Sequence, residues 1–454
     1  MSSEISRRRW LLDAGAGFGW LAFASLANAG PKPHFAPRAK RVVQIFCTGG
    51  MSHLDTFDYK PELARRDGKP FDMPTFFGQG GNLMACPWEF SRRGQSGLWV
   101  SGLLPHLAAH ADKLTLVRSV FAKSANHMPA IAQMNTGFIL TGFPSFGAWV
   151  MYGLGAENEN LPAYVVLQDP SGPPWGGTVQ WTNGFLPAAV QGTTFRTAGD
   201  PVPDLSRPKD IGAEARADSL SWLDRMNRRH AEMHSGDSTL DARIRGYELA
   251  ARMQMSVPEV ASLDSESEAT RRLYGFDRKE TEPHARNCLL ARRLLERGVR
   301  FVQVYHGGSG NSWDAHGNLR SNHEKMSRSY DQPTAALVQD LAARGLLDDT
   351  LVMGVSEFGR TPVSQGTGES AGRDHHPDCF TVWMAGAGLK PGFAYGSSDD
   401  FGRKPAENPV AVHDLHATAL HALGLDHERL TFYHNGARRR LTDVHGHVVE
   451  SLFA

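Results

Sequence analysis

Six short runs rich in Val, Ile, Leu and Phe punctuate this chain: 42–47, 114–117, 164–167, 299–305, 350–355 and 380–384. None alternates cleanly between apolar and polar residues, which is the pattern of strands covered on both faces of a parallel sheet. Helical patterns lie between them. From Thr281 to Glu296, Thr281 is placed to cap, Glu282 suits the first turn, and Gly298 closes the run. Ala285, Cys288, Leu289 and Leu295 give that segment an apolar stripe. A second helical run covers about Asn322 to Ala343 with Pro333 as a kink, and a third covers Asp414 to Leu423. Strand followed by helix, repeated, predicts an α/β fold with a mainly parallel central sheet and helices on both faces. Ligands of such sheets bind beyond the carboxyl ends of the strands.

Residues from about 171 to 239 break the pattern. They are rich in Gly, Pro, Asp and Thr and read as a loop-rich insertion, anchored by Trp175, Trp181, Phe185 and Phe195. The rest, 30–454, reads as a single domain. The first 29 residues fit a twin-arginine signal peptide. Ser6-Arg7-Arg8-Arg9-Trp10-Leu11 leads a weakly apolar stretch, and Ala27-Asn28-Ala29 is a small-x-small cleavage site. The expectation is a periplasmic or extracellular protein with no stable membrane span once the signal is removed. Lys+Arg and Asp+Glu are both 48, so the chain has no basic footprint for nucleic acid. Of its 4 cysteines, none has paired zinc-site spacing, and Cys47 and Cys288 sit in apolar runs as core residues. An exported chain can join its cysteines in disulfides, and the pairing is open.

The polar residues just after each run are the candidates for chemistry. The first run leads into Thr48-Gly49-Gly50, then His53 and Asp55, which are either ligands or turn caps. Tyr305 is followed by a glycine-rich loop carrying Asp314 and His316, an oxygen and a nitrogen ligand that suit zinc or another first-row metal, with calcium a less fitting choice. The run ending at Val355 presents Glu357, Phe358 and Arg360, and Arg373, Asp374, His375 and His376 precede the next. Glu357 is either a ligand or the partner of Arg360 or Arg373 in a structural ion pair. His413 and His416 read as satisfied histidines at a helix start.

Several blocks carry a resemblance: "GGMSHLDTFD", "LLARRLLERGVRFVQV", "WDAHGN", "SEFGRTP", "GRDHHP" and "DLHATALHALGLDHERL". With the twin-arginine leader they resemble the uncharacterised bacterial family called domain of unknown function 1501. That family is similar to the alkaline phosphatase and sulfatase superfamily, whose members bind one or two metals at strand ends and hydrolyse phosphate or sulfate esters. The resemblance implies an alkaline phosphatase-like fold and a divalent metal held by His53, Asp55, Asp314, His316, Glu357, Asp374 and His375. Glu357 stands where a metal-binding Asp is expected and Phe358 where a His is expected. Arg360, Arg373 and His376 would meet the anionic group. The segment "KSANHMPAIAQMNTG" has the shape of the nucleophile helix, but Asn126 or His127 occupies the nucleophile's place and Ser124 lies nearby as nucleophile or cap. Without a fixed nucleophile, a metal-activated water with His127 or His375 as base is the implied route. Two functions follow. One is an exported metal-dependent hydrolase of small-molecule or polysaccharide sulfate or phosphate esters. The other is a non-catalytic binding protein for an anionic polysaccharide or surface partner on the same fold. Substrate, metal identity and oligomeric state stay open.

Overall fold

The computed structural model describes residues 32–73, 81–196, 201–202, 212–233 and 238–454. The twin-arginine signal lies outside them. At the centre is a 9-stranded sheet. Its strands are β1 (Arg41–Cys47), β2 (Thr115–Phe121), β3 (Tyr164–Leu167), β4 (Thr193–Phe195), β5 (Phe301–His306) and β6 (Thr350–Val355). The chain then makes a separate two-stranded hairpin, β7 (Gly359–Gln365) and β8 (Gly372–His376), and returns to the sheet as β9 (Phe380–Ala385), β10 (Phe393–Tyr395) and β11 (Val410–Ala411). The order across the sheet is β10-β2-β9-β6-β1-β5-β3-β4, with β11 beside β2. Every pairing is parallel except the two made by β9. The expected mainly parallel sheet is what the chain forms.

Burial on both faces explains why these strands read as continuous apolar runs. Along β1, Val43, Ile45 and Cys47 enter one core and Val42 and Phe46 the other. The first core is completed by helices Glu282–Glu296 and Leu319–Ala343 through Leu289, Leu294, Leu337 and Leu341. The second is completed by Phe146–Leu154 and Val412–Ala422 through Trp149, Val150, Leu415 and Leu420. Each such fully buried side chain contributes roughly 1.5–3 kcal/mol relative to exposure. All four cysteines are free, and Cys47 and Cys288 are core residues.

Three expectations change in detail. Thr281 precedes its helix but makes no side-chain cap bond; its hydroxyl donates instead to the Arg278 carbonyl, 2.9 Å away. The run containing Pro333 begins at Leu319 rather than about Asn322, and one helix, Leu319–Ala343, continues through the proline undivided. The stretch 171–239 is not loops throughout: a helix spans Ala213–Met233 and another begins at Ser238. Its mean polarity hid that periodicity.

The topology brings one set of loops together. The carboxyl ends of β1, β2, β5 and β6 and the start of the antiparallel β9 share one edge of the sheet. The hairpin β7–β8 folds over that edge. No helix among the described residues is long and apolar enough to cross a membrane.

Candidate metal centre

His127 opens helix α1 (His127–Thr136), six residues after β2 ends. Asn126, in extended conformation, is its N-cap, and Gly137 ends it at φ 80°. Asp314 and His316 lie in the loop after β5, which is tied down by Trp313 N–H donating to Thr48 O at 2.9 Å and Arg373 N–H to Ala315 O at 2.9 Å. Glu357 is the second residue beyond β6. In the hairpin, Arg360 and His375 are directly paired neighbours. The glycine pair after β1 is a packing requirement: a Cβ on Gly49 would lie 2.5 Å from the Asp314 nitrogen, and one on Gly50 would lie 2.5 Å from the Phe358 ring.

Three imidazoles converge on Asp314. His316 Nε2 and His375 Nε2 lie 3.2 and 3.3 Å from Asp314 Oδ1, and 2.9 Å from each other. His127 Nε2 lies 3.3 Å from Asp314 Oδ2, and this buried nitrogen has no hydrogen-bond partner. The opposite ring nitrogens fix the tautomers. His127 Nδ1 is 2.8 Å from Glu357 Oε1, His316 Nδ1 is 2.6 Å from Gln365 Oε1, and His375 Nδ1 is 2.6 Å from Ala125 O. All three partners present accepting oxygens to Nδ1, so a neutral ring that donates from Nδ1 has its lone pair at Nε2, while a protonated His127 carries a proton at Nε2 as well.

Imidazole nitrogens gathered around one carboxylate are an arrangement that a cation stabilises, once any proton on Nε2 is displaced. For bonds of 2.0–2.1 Å, a tetrahedral ion needs ligand atoms about 3.3 Å apart, close to the 2.9–3.3 Å among Asp314 Oδ1, His316 Nε2 and His375 Nε2. Three imidazoles and one carboxylate suit zinc or another first-row ion, not calcium. Among the described residues, two groups of three side chains whose ligand atoms all lie within 4.8 Å of one another are His127, Asp314, His375 and His316, Asp374, His375, which share His375.

The electrostatics are those of a strongly coupled cluster. Burial would raise the Asp314 pKa, but the adjoining His127 and His375 rings and the charge of Arg360 hold it far below the usual carboxylate range. Burial disfavours charge on His127, yet Asp314 and Glu357 outweigh it and the pKa is raised. His375 is pushed down to about 4, chiefly by burial. The raised pKa favours the protonated His127 ring, whose Nε2 faces Asp314 Oδ2.

Several expected site residues are committed elsewhere. His53 is buried with Nε2 3.0 Å from the Gly402 carbonyl, and burial lowers its pKa to about 4. Asp55 pairs with Arg373, Nε to Oδ2 at 2.8 Å, both side chains fully buried. Arg373 also donates to the carbonyls of Thr361 and Met84 at 3.1 and 3.0 Å. His376 pairs through Nε2 with the Arg403 carbonyl, away from the cluster. Glu357 does not face the ion position; its Oε1 accepts from Gly49 N at 2.8 Å and from His127. Arg360 is spread over Asp314 Oδ1 at 2.7 Å, Gly50 O at 2.8 Å, Arg373 O at 3.0 Å and the Gly49 carbonyl. Ser124 accepts from Asn126 N–H at 3.1 Å, a turn contact just before the helix. Asp374 accepts from the His375 amide at 2.7 Å and lies 3.6 Å from His316 Nδ1. Phe358 is fully buried, 4.5 Å from the His375 ring and 5.0 Å from His127. His413 Nε2 and His416 Nε2 lie 2.8 and 2.9 Å from the carbonyls of Gly137 and Met134, while His416 Nδ1 is buried without a hydrogen-bond partner.

Three contributors escaped the sequence reading. Gln365 and the Ala125 carbonyl orient two of the imidazoles, and nothing in their residue types marks them. Trp175 stacks on His127 with ring centroids 4.1 Å apart and planes 7° apart. Its setting between two prolines and two glycines identified an apolar anchor but not a wall of the site.

Comparison with known proteins finds no match among curated sequences. Solved structures similar to this one include the lipoteichoic acid synthase LtaP from Listeria monocytogenes, with 10% identity over 87% of this chain and 76% of that chain and a TM-score of 0.38. PsFucS1 sulfatase from Pseudoalteromonas sp. has 12% identity over 86% and 68%, TM-score 0.38. A mutant of TAB5 alkaline phosphatase with magnesium bound has 8% identity over 86% and 99%, TM-score 0.37. The model of one family, described as "Protein of unknown function (DUF1501)", matches residues 39–453, and the chain belongs to that family.

Proposed function

We propose that this protein is an exported, metal-dependent hydrolase of sulfate or phosphate esters, with one divalent ion held by His127, Asp314, His316 and His375. The observation that supports it most is the convergence of three imidazole Nε2 atoms on one carboxylate, with each Nδ1 set against an accepting oxygen. An ion there supplies Lewis-acid chemistry, polarising an ester oxygen and acidifying water. The chain's own residues do the rest. Glu357 keeps the His127 ring in its tautomer. Arg360 holds Asp314 in place and offsets its charge. Gln365 and Ala125 O do for His316 and His375 what Glu357 does for His127. Asp314 and His316 are 25% and 28% exposed, so a ligand enters on their side. Phe358 closes the inner side against water.

A second reading, a non-catalytic binding protein for an anionic polysaccharide or surface partner, is favoured by one observation. Ser124 is engaged in a turn and Arg360 and Arg373 are consumed by structural bonds. Purified protein assayed for metal content and for turnover of a panel of sulfate and phosphate esters separates the two. The hydrolase reading expects about one ion per chain and turnover lost in His316→Ala. Metal without turnover on any ester supports the binding protein, and absence of metal removes the hydrolase reading.

A further inference from the structure

A chain of amides runs through the middle of the molecule, where apolar packing would be expected. Gln44 on β1 and Gln303 on β5 are buried neighbours, with Gln303 Nε2 3.3 Å from Gln44 Oε1. Tyr164 O–H donates to Gln303 Oε1 at 2.7 Å. Gln303 Nε2 donates to Asn135 Oδ1 on α1 at 2.8 Å. Asn135 Nδ2 donates to Tyr305 Oη at 3.2 Å and reaches Gln180 Oε1 at 3.4 Å. Gln180, fully buried, donates from Nε2 to the Trp175 carbonyl at 2.8 Å. Gly176 makes the last step possible, since a Cβ there would lie 2.6 Å from Gln180 Nε2. Buried amides are costly unless bonded along their length, and once bonded they fix one geometry. This chain leads from the central strands, through the helix that His127 opens, to the residue stacked on His127.

We infer that the buried Gln303–Asn135–Gln180 chain is a positioning device that seats Trp175 on His127 and so fixes the orientation of that imidazole in the proposed metal centre. Trp175 and Gln180 are positioning residues: they act through His127. The stack restrains the ring plane and the Glu357 hydrogen bond restrains its rotation within that plane. Together they leave Nε2 one direction, toward Asp314. The consequence for metal binding rests on the metal-centre reading; the seating of the ring does not.

The test has two arms. In metal-free protein, the His127 ring protons are observed by NMR, assigned by their loss in His127→Ala. The Trp175 ring current shifts them upfield in the wild type. Trp175→Ala and Gln180→Ala are both expected to move them toward the position of a free histidine, and Trp175→Phe to restore part of the shift. In the second arm, zinc affinity is measured by chelator competition. Trp175→Ala is expected to weaken it about tenfold or more, the effect of losing an outer-shell support, with Trp175→Phe close to wild type and Gln180→Ala between them. Unmoved His127 shifts in Gln180→Ala overturn the inference, as does wild-type zinc affinity in Trp175→Ala. If the wild type takes up no zinc, the metal reading fails and the NMR arm alone decides whether the clamp exists.

Discussion

Two groups of histidines flank the ends of the central strands, and they use their nitrogens in opposite ways. His306 ends β5 inside a sealed layer, with His284 against it at a ring separation of 4.7 Å. Its Nδ1 accepts from Trp313 Nε1–H at 3.0 Å and its Nε2 lies 3.0 Å from Ser329 Oγ, with no carboxylate bonded to it. Burial alone pushes its pKa down to about 3. His127, His316 and His375 instead surround a carboxylate at the mouth of the same strand ends, each with Nδ1 on an accepting oxygen. The difference teaches that histidine abundance locates nothing. What separates a core histidine from a candidate ligand is where the ring proton is sent and what the other nitrogen faces.

The strongest way to break that contrast is to remove a member of each group. Asp314→Ala is expected to lower metal affinity more than about a hundredfold, beyond what loss of an outer-shell partner does. His306→Ala should leave metal content unchanged and lower stability. Elemental analysis of the two purified variants decides it; metal loss in His306→Ala with retention in Asp314→Ala would reverse the assignment. Next in size is the sealed ion pair. Asp55→Asn leaves Arg373 buried without its counter-charge, so a loss of about 3–5 kcal/mol is expected by urea denaturation, with metal content intact. Loss of metal with no loss of stability would return Asp55 to the ligand set.

Titration sharpens the same contrast, because the two groups carry opposite signs. The folded pKa of His306 is about 3 against an ordinary value of 6.5, so the unfolded chain binds more protons between those values. Its contribution to stability is present above pH 6.5 and is lost as pH falls toward 3, by about 1.4 kcal/mol per pH unit. The folded pKa of His127 is raised above 6.5. In metal-free protein its contribution is present below that value and is lost as pH rises through the folded one. Imidazole NMR titration should find His306 neutral at pH 5 and His127 still protonated at pH 6.5; the reverse order contradicts the geometry.

Much of the fold was legible because its strands are buried on both faces, so 164–167 and 350–355 read off as uninterrupted apolar runs and coincide with β3 and β6. The hairpin β7–β8 was not. "GRTPVSQ" and "GRDHH" are polar, carry Gly and Pro, and are buried by the site rather than by a hydrophobic core. At the site, Asp314, His316 and His375 were recognisable as ligand types following strands. Side-chain direction was not recognisable. Glu357 and Asp55 have the right chemistry and point at partners that only the folded chain supplies, Gly49 and His127 for one and Arg373 for the other. His127 was placed as a base or nucleophile substitute, since its convergence with Asp314 needs the whole β2–α1 crossover.

Two smaller effects remain. Glu357→Gln should weaken metal binding about 10–100-fold by loosening the His127 tautomer, without removing it, as a true ligand's loss would. His413→Ala, which forfeits one buried hydrogen bond to the Gly137 carbonyl, should cost about 1 kcal/mol and leave metal affinity unchanged in chelator competition.

The most direct test of the central claim is anomalous X-ray diffraction from crystals of the protein grown with zinc. The account predicts one strong peak within about 2.0–2.2 Å of His127 Nε2, His316 Nε2, His375 Nε2 and an Asp314 oxygen. An empty position there in zinc-replete crystals, or a zinc ion held instead by His53 and Asp55, would contradict it.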